Sequence, residues 1–271
     1  MERRTAQGAP PLQLSSVHTG GKSPFQFYLK QQHKAAERAG IRHEAVEVAS
    51  PEQLLERVGE LDADPSVTGV LIQHPLPAGY SFAEAIDRLR PEKDIDGAGA
   101  VCLGRLAGGR PLHTPAVALA VQELLRHFEI PVSGRRVLVL GRSPTVGLPI
   151  ALLLLLRGSP GDATVQVAHT QSRELPALLQ TADVVVSCAG VPGLLTRANV
   201  PPGAVVVDVG LSSVPDDSRP GGHRPAGDAA PELDGWVRAL APVPGGIGPL
   251  TVAELMQNLL RAQRAHEEGM R

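Results

Sequence analysis

Cysteine is almost missing from this chain: among 271 residues only Cys102 and Cys188 carry a thiol. They stand far apart without a companion histidine cluster, which excludes a disulfide framework and a thiolate zinc site and points to a reducing, cytoplasmic setting. Nine histidines show no metal-ligand spacing either, so no metal is expected. An excess of one charge is also lacking. Lys and Arg number 26 against 28 Asp and Glu, interspersed, for a formal charge of −2; this excludes the basic face that nucleic acid requires. The longest apolar run, Leu148 to Leu156, is broken by Pro149 and falls short of the roughly 20 residues that span a bilayer. It reads as a buried helix, with no membrane partner. Met1 to Pro10 has no apolar stretch of the signal-peptide kind and reads as a flexible lead-in. Repeats and low-complexity segments are absent, and lysine occurs only at Lys22, Lys30, Lys34 and Lys93.

What is present is a 42% hydrophobic composition in a chain too long for one ordinary core, so two domains are expected. Helical spacing over Phe27 to Ala39 stops at Gly40, and Ile41 to Val48 alternates as a strand. Pro51 to Leu61 reads as a helix capped by Ser50. Thr68 to Gln73 is a short buried strand, ended by His74-Pro-Leu-Pro77 because proline cannot continue the ladder. Pro91 to Pro115 reads as an irregular loop, and Pro115 to His127 as a helix behind Thr114. Beyond Gly134, strands Arg136–Leu140, Thr164–Ala168, Asp183–Ser187 and Ala204–Asp208 alternate with helices at Leu148–Arg157 and Leu175–Thr181. Continuous Val/Leu strands in that rhythm predict a doubly wound parallel sheet of the Rossmann type. A final helix, Thr251 to Glu267, follows the loop Pro242 to Pro249. The expected organisation is α/β in two domains: an N-terminal α/β substrate domain over 1–116, a Rossmann-like domain over 117–248, and a C-terminal helix over 249–271 returning to the first.

The turn Gly141-Arg-Ser-Pro-Thr-Val-Gly147 delivers a strand to a helix N-terminus, where free N–H groups and the helix dipole can hold a diphosphate. Its spacing departs from G-x-G-x-x-G, and any strand-to-helix turn needs glycine, so a purely structural reading stays open. At the end of the next strand, where an acidic residue would bind the NAD ribose, the chain has His169-Thr-Gln-Ser-Arg173. With Arg142 nearby, NADP is the expected cofactor.

Six segments in order, Gln73-His-Pro-Leu-Pro77, Pro91-Glu-Lys-Asp-Ile-Asp-Gly97, Gly141 to Pro149, His169-Thr170, Val207-Asp-Val-Gly210 and Pro242 to Thr251, resemble the signatures of the methylenetetrahydrofolate dehydrogenase/cyclohydrolase family. The resemblance runs from about Tyr28 to about Leu260. It implies NADP-dependent oxidation of 5,10-methylenetetrahydrofolate to the methenyl form, followed by hydrolysis to 10-formyltetrahydrofolate, in a homodimer with its folate cleft between the domains. Carried over by position, the catalytic residues are Tyr28, Gln32, Gln73 and Asp96. Substrate is expected at Tyr28, Ile72, Gln73, His74, Asp96, Pro244, Gly245, Gly246 and Gly248, and cofactor at Gly141, Arg142, Ser143, Thr170 and Leu211. Each type suits its place: a carboxylate at Asp96 matches the paired N–H donors of a pterin edge, and Tyr28 can stack and hydrogen-bond at once. The bland readings are a solvated charged loop for Lys93 to Asp96 and ordinary helix packing for Tyr28.

Several positions depart from the family pattern. Gln32 stands where the family has its acid–base lysine, Phe25 where it has serine, His74 where it has leucine, and His113-Thr114-Pro115 where it has Cys-Thr-Pro. Glutamine orients but does not shuttle protons near neutrality, so dehydrogenation is expected to survive and hydrolysis to be weak. The alternatives are a catalytically weakened folate- or nucleotide-binding paralogue, and an unrelated Rossmann dehydrogenase resting on the Gly141 turn alone.

Overall fold

The computed structural model describes residues 11–21, 25–158, 160–219 and 222–267. The lead-in Met1 to Pro10 and the Phe25 side chain lie outside the described residues. The chain forms two compact units. One takes the described residues up to Ala116 and those from Val252 onward, and the other takes Val117 to Thr251.

The first unit holds β1 (Gln13–His18), α1 (Phe25–Arg38), β2 (Arg42–Glu47), α2 (Pro51–Ala63), β3 (Gly69–Ile72), α3 (Phe82–Ile86) and α4 (Ala100–Ala107), and its first segment ends at the start of α5 (Ala116–His127). Its sheet is parallel, in the order β2-β1-β3. In register, Leu14 pairs with His43 and Gly69, and Ser16 with Ala45 and Leu71. Side chains alternate between faces. Val17, Val46, Val70 and Ile72 pack one way with Leu54 and Val58 of α2; Leu14 and Leu71 pack the other way with Ala36 of α1. Ser50 caps α2, accepting from Gln53 N at 3.2 Å. The strand β1 is not legible in the sequence pattern, because Gln13, Ser15 and Ser16 break an apolar alternation although all three are buried. The segment Pro91 to Pro115, expected to be an irregular loop, contains α4, which buries Cys102 and Leu106. Of the glycines that obscured this helix, Gly99 is its N-cap and Gly108 its C-cap, and Gly104 alone lies within it.

The second unit carries most of α5, then β4 (Arg136–Leu140), α6 (Gly147–Leu155), β5 (Thr164–Ala168), α7 (Leu175–Gln180), β6 (Val184–Ser187) and β7 (Val205–Asp208). A ribbon of β8 (Ser212–Pro215) and β9 (His223–Ala226), a single 3-10 turn at Pro231–Leu233 and β10 (Ala239–Ala241) complete it. Five parallel strands run β10-β7-β6-β4-β5. From β4 the chain steps one way to β5 and then the other way to β6, so the order reverses between β4 and β6, the place where such sheets open a ligand crevice at their carboxyl ends. The last helix, α8 (Ile247–Glu267), begins four residues before the expected Thr251. Pro249 falls at its third position, in the first turn, where proline's missing N–H costs nothing. Leu255, Met256, Leu259 and Ala262 of α8 complete the core that holds Leu12, Leu14, Ile41 and Ile95. Among the described residues no helix is long and apolar enough to cross a membrane.

Candidate active site

The segment Lys93-Asp-Ile-Asp96 is no solvated charged loop. Lys93 is 8% exposed and spends all three ammonium hydrogens on the last carbonyls of α2 and its exit, Leu61 O at 2.9 Å, Asp62 O at 2.7 Å and Asp64 O at 2.6 Å. Cations belong at that end of a helix dipole. Asp94, also buried, accepts from Gly99 N at 2.8 Å and Ala98 N at 3.3 Å, holding the entry to α4. Ile95 is fully buried in the core. With its neighbours so engaged, Asp96 is left to face the site. It accepts from Ala116 N, the first N–H of α5, at 3.3 Å. Burial, and next the charge of Asp94, push its carboxyl up to about 7.

Tyr28 and Gln32 stand one helical turn apart on α1, so they share a face. Burial above all, and then the Asp96 charge, raise the Tyr28 hydroxyl well above its ordinary value, with the Gln32 amide opposing the shift. The phenol therefore stays protonated, a donor beside a carboxylate. Gln32 is wholly buried. Its Oε1 accepts twice, from Ser16 Oγ at 3.0 Å and Gln73 Nε2 at 2.9 Å, while its Nε2 makes no hydrogen bond. Behind Ser16 stands His43, with Nε2 at 3.0 Å from Ser16 Oγ and Nδ1 at 3.4 Å from Nδ1 of His33. Burial, and then His33, lower the His43 pKa to about 4, so the ring is neutral near pH 7.

The structure thus gathers Tyr28, Gln32, Gln73 and Asp96 in the first unit. Ile72 faces the opposite side of the sheet from Gln73, its side chain in the core with Val17 and Val70; only its backbone is available to a ligand. His74, just past β3, packs its ring on Phe82 with centroids 4.2 Å apart, and burial lowers its pKa. His113, in the family cysteine position, is buried and bonds through Nε2 to Glu92 O at 3.1 Å.

In the second unit the expected cofactor residues share one edge of the sheet. Gly141, Arg142 and Ser143 follow β4, Thr170 follows β5 and Leu211 follows β7; all these strands are parallel, so their carboxyl ends lie together. Arg142, Ser143, Thr170 and Leu211 are exposed there. Gly141 has φ +120, and a Cβ on it would lie 2.8 Å from Cys188 O; a Cβ on Gly147 would lie 2.2 Å from Gly141 O. Both glycines are needed to bring backbone against the helix start, the geometry a diphosphate uses. The turn after β5 closes on itself, His169 N donating to Ser172 Oγ at 2.9 Å, and carries no carboxylate. Pro244, Gly245 and Gly246 follow β10, whereas Gly248 belongs to the first turn of α8, a correction to its reading as loop.

Four further groups escaped sequence reading. Ser16 gives no signal because β1 is not legible in the pattern, and His43, on the legible β2, because its partner Ser16 lies on β1. Ser187 and Asp228 were also passed over: Asp228 accepts from Ser187 Oγ at 2.6 Å and from the N–H groups of Ala189 and Val191 at 2.8 and 2.7 Å, bracing the loop after β6. Asp208 does the same after β7, accepting from Gly210 N at 3.0 Å and Ala229 N at 2.8 Å. An acidic residue at each of two strand ends was the available clue.

Comparison with known proteins gives concordant results. A family model described as the catalytic domain of tetrahydrofolate dehydrogenase/cyclohydrolase matches residues 1–96, and one described as the NAD(P)-binding domain of the same family matches residues 115–267. Bifunctional protein FolD 1 of Paenarthrobacter aurescens is 42% identical over 261 residues, 95% of this chain and 85% of that one. Among solved structures, the methylenetetrahydrofolate dehydrogenase-cyclohydrolase of Trypanosoma brucei, complexed with NADP and an inhibitor, superposes with a TM-score of 0.89 at 35% identity, covering 97% of this chain and 90% of its own. A 5,10-methylenetetrahydrofolate dehydrogenase of the silkworm Bombyx mori gives 0.88 at 34% identity, covering 98% and 92%.

Proposed function

This chain belongs to the tetrahydrofolate dehydrogenase/cyclohydrolase family, and on that premise we propose that it oxidises 5,10-methylenetetrahydrofolate to 5,10-methenyltetrahydrofolate with NADP, and hydrolyses the product weakly or not at all. The glycine-built turn after β4 and the carboxylate-free turn after β5 fit a dinucleotide with a 2′-phosphate, with Arg142 as its counter-charge. NADP, when bound, accepts the hydride.

The remaining work falls to residues of the first unit. Asp96 accepts from the amino-pyrimidinone edge of the pterin, Tyr28 stacks and donates, and Gln73 and Gln32 fix the one-carbon end. Loss of hydride from a carbon between two nitrogens leaves a cation delocalised over both, so orientation suffices and no acid–base group is required. Hydrolysis differs: water must lose a proton and a ring nitrogen must gain one. The observation that carries the reading is the Gln32 side chain, wholly buried with its oxygen doubly engaged. An amide so held has no proton to exchange near neutral pH. The setting read from two free thiols is cytoplasmic, and the assembly read from family resemblance is a homodimer, to be checked by sedimentation.

The test is a pair of assays on the purified protein. NADPH production from methylenetetrahydrofolate should be ready while methenyl hydrolysis lags by about 10²–10⁴-fold, the usual worth of one acid–base group. Gln32→Lys should raise hydrolysis selectively. Equal rates of the two reactions would defeat the proposal, and folate binding without NADPH production would favour a weakened paralogue.

A further inference from the structure

Sheet order separates the two halves of the dinucleotide. The diphosphate turn follows β4, which lies between β5 and β6. In sheets of this kind the adenosine ribose sits at the end of the strand after that turn, here β5, so the nicotinamide half extends the other way, over β6 and β7. Parallel neighbours stand about 4.8 Å apart, which puts β7 about 10 Å from β4. The loop after β6 begins against the turn itself, since a Cβ on Gly141 would lie 2.8 Å from Cys188 O. Two large apolar side chains are exposed along this stretch, Val191 at 50% after β6 and Leu211 at 53% after β7. Their loops are tied together. Ser212 Oγ, just after Leu211, donates to Gly190 O, just before Val191, at 3.0 Å. Val209 and Gly210 both donate to Ser187 O, at 2.7 and 3.0 Å. Asp228, with no exposure, holds the first loop from inside. Three consecutive peptide N–H groups converge on its carboxylate, Ala189 at 2.8 Å and Gly190 at 3.3 Å on Oδ2 and Val191 at 2.7 Å on Oδ1. A peptide N–H only donates, so the direction of all three bonds is given. Successive N–H groups set this way form an anion cradle, and this one is filled by the chain's own carboxylate.

We infer that Asp228 is a positioning residue for the nicotinamide half of NADP: an internal anion that holds the loop after β6, and so sets Val191 with Leu211 as an apolar seat for the nicotinamide ring. The inference rests on the dinucleotide reading of the β4 turn. Asp228 does not touch the ring, because its oxygens are spent on backbone and on Ser187 Oγ at 2.6 Å. Nor has the seat room to shift beneath Leu211, since a Cβ on Gly210 would already lie 2.3 Å from Asp228 Cγ. A neutral isostere does not replace the carboxylate. Asparagine in this cradle turns its own NH2 toward one of the N–H donors, so the loop has to move and Val191 with it. A flat heteroaromatic ring suits an aliphatic pair, whereas the polar turn after β5 suits the phosphorylated ribose.

Calorimetry on the full chain tests this by comparing NADP with 2′-phospho-ADP-ribose, which lacks only the nicotinamide. The parent should bind NADP about three- to tenfold more tightly, as partial burial of two aliphatic side chains allows. Val191→Ser, a change at the surface, and Asp228→Asn should each erase most of that advantage while 2′-phospho-ADP-ribose binds as it does to the parent. The emission of bound NADPH, which reads polarity around the nicotinamide, should be blue-shifted in the parent and return toward its free position in both variants. If Asp228→Asn does not fold, Ser187→Ala takes its place; it removes one donor from Asp228 and should lose part of the advantage. Equal affinity of the parent for the two ligands, or an advantage untouched by Val191→Ser, overturns the seat. Equal loss of both ligands in Asp228→Asn, or no loss in the variant used, would mean that Asp228 serves the fold and not the nicotinamide. A parent that binds neither ligand brings down the dinucleotide reading itself.

Discussion

Asp96 and His43 are titratable groups that burial shifts in opposite directions. Asp96 has its carboxyl raised from 3.8 to about 7 by burial and by Asp94. A pterin edge pairs with the ionised form, so kcat/KM for methylenetetrahydrofolate should rise with pH and level off above about 7. In Asp96→Asn the profile should be flat and lower, by the about 1–3 kcal/mol that a mispaired buried donor costs, with NADP binding kept. A variant with the original activity and profile would return Asp96 to a purely structural part at the start of α5. Stability shifts the other way. The unfolded Asp96 ionises near 3.8 and the folded one only near 7, so ionisation works against folding and stability falls as pH climbs through that window. His43 is the reverse: it titrates near 6.5 unfolded and about 4 folded, so stability falls as pH drops from 6.5 toward 4. The two slopes oppose each other between about pH 4 and 6.5. Denaturation as a function of pH should therefore be shallow for the parent protein. It should steepen in Asp96→Asn toward loss in acid, and in His43→Asn toward loss near neutrality, with His33, and Glu37 behind it, as the titratable neighbours of the removed ring. Unchanged slopes in both variants would contradict these assignments.

At the scale of elements, the turn between β4 and α6 separates scaffold from specificity. Gly141 and Gly147 are set by backbone collisions that any side chain would create. Arg142 is exposed and free of such duties, so Arg142→Ala should leave stability within about 0.5 kcal/mol of the parent. It should weaken NADP about tenfold or more, as loss of a charge-assisted hydrogen bond does, while NAD affinity changes little. Equal weakening of both would assign Arg142 to the shared diphosphate. The loops after β6 and β7 are held differently, by Asp228 and Asp208 receiving backbone N–H groups. These carboxylates set the shape of the edge that carries Leu211 without themselves being exposed. Repeated Val strands made β4, β6 and β7 legible in sequence. Their bracing was not, because Asp208 and Asp228 lie 20 residues apart and meet through Asp228 N and Asp208 Oδ1 at 3.0 Å.

For the molecule as a whole, the first unit is discontinuous. Helix α8 closes a core begun at Leu12, and Asn258 ties it in, donating through Nδ2 to Ile95 O and Thr114 O at 2.8 Å each. Asn258→Ala leaves two buried carbonyls without a donor and should cost about 2–4 kcal/mol, read as a lower denaturant midpoint. A shift under about 0.5 kcal/mol would show that the core of α8 alone holds the closure. Local pattern sufficed for what local physics controls: helices α1, α2 and α5, the valine strands of the five-stranded sheet, and the two turns that suit a phosphorylated dinucleotide. Residue type in order along the chain also sufficed to place Tyr28, Gln73 and Asp96 among site candidates and to mark Gln32 as a change of chemistry. Tertiary structure alone decided the rest. It made a strand of Gln13 to His18, where the Gln13 and Ser16 side chains donate to Glu44 and Gln32 and the Gln13 N–H to Thr68 Oγ1, all from distant segments. It divided one charged segment into a helix cap at Lys93, a loop brace at Asp94 and, at Asp96, a carboxylate beside Tyr28 and the start of α5. It also set a serine and a histidine behind Gln32, because burial removes water as a partner and every polar atom must then find its hydrogen bond across the chain.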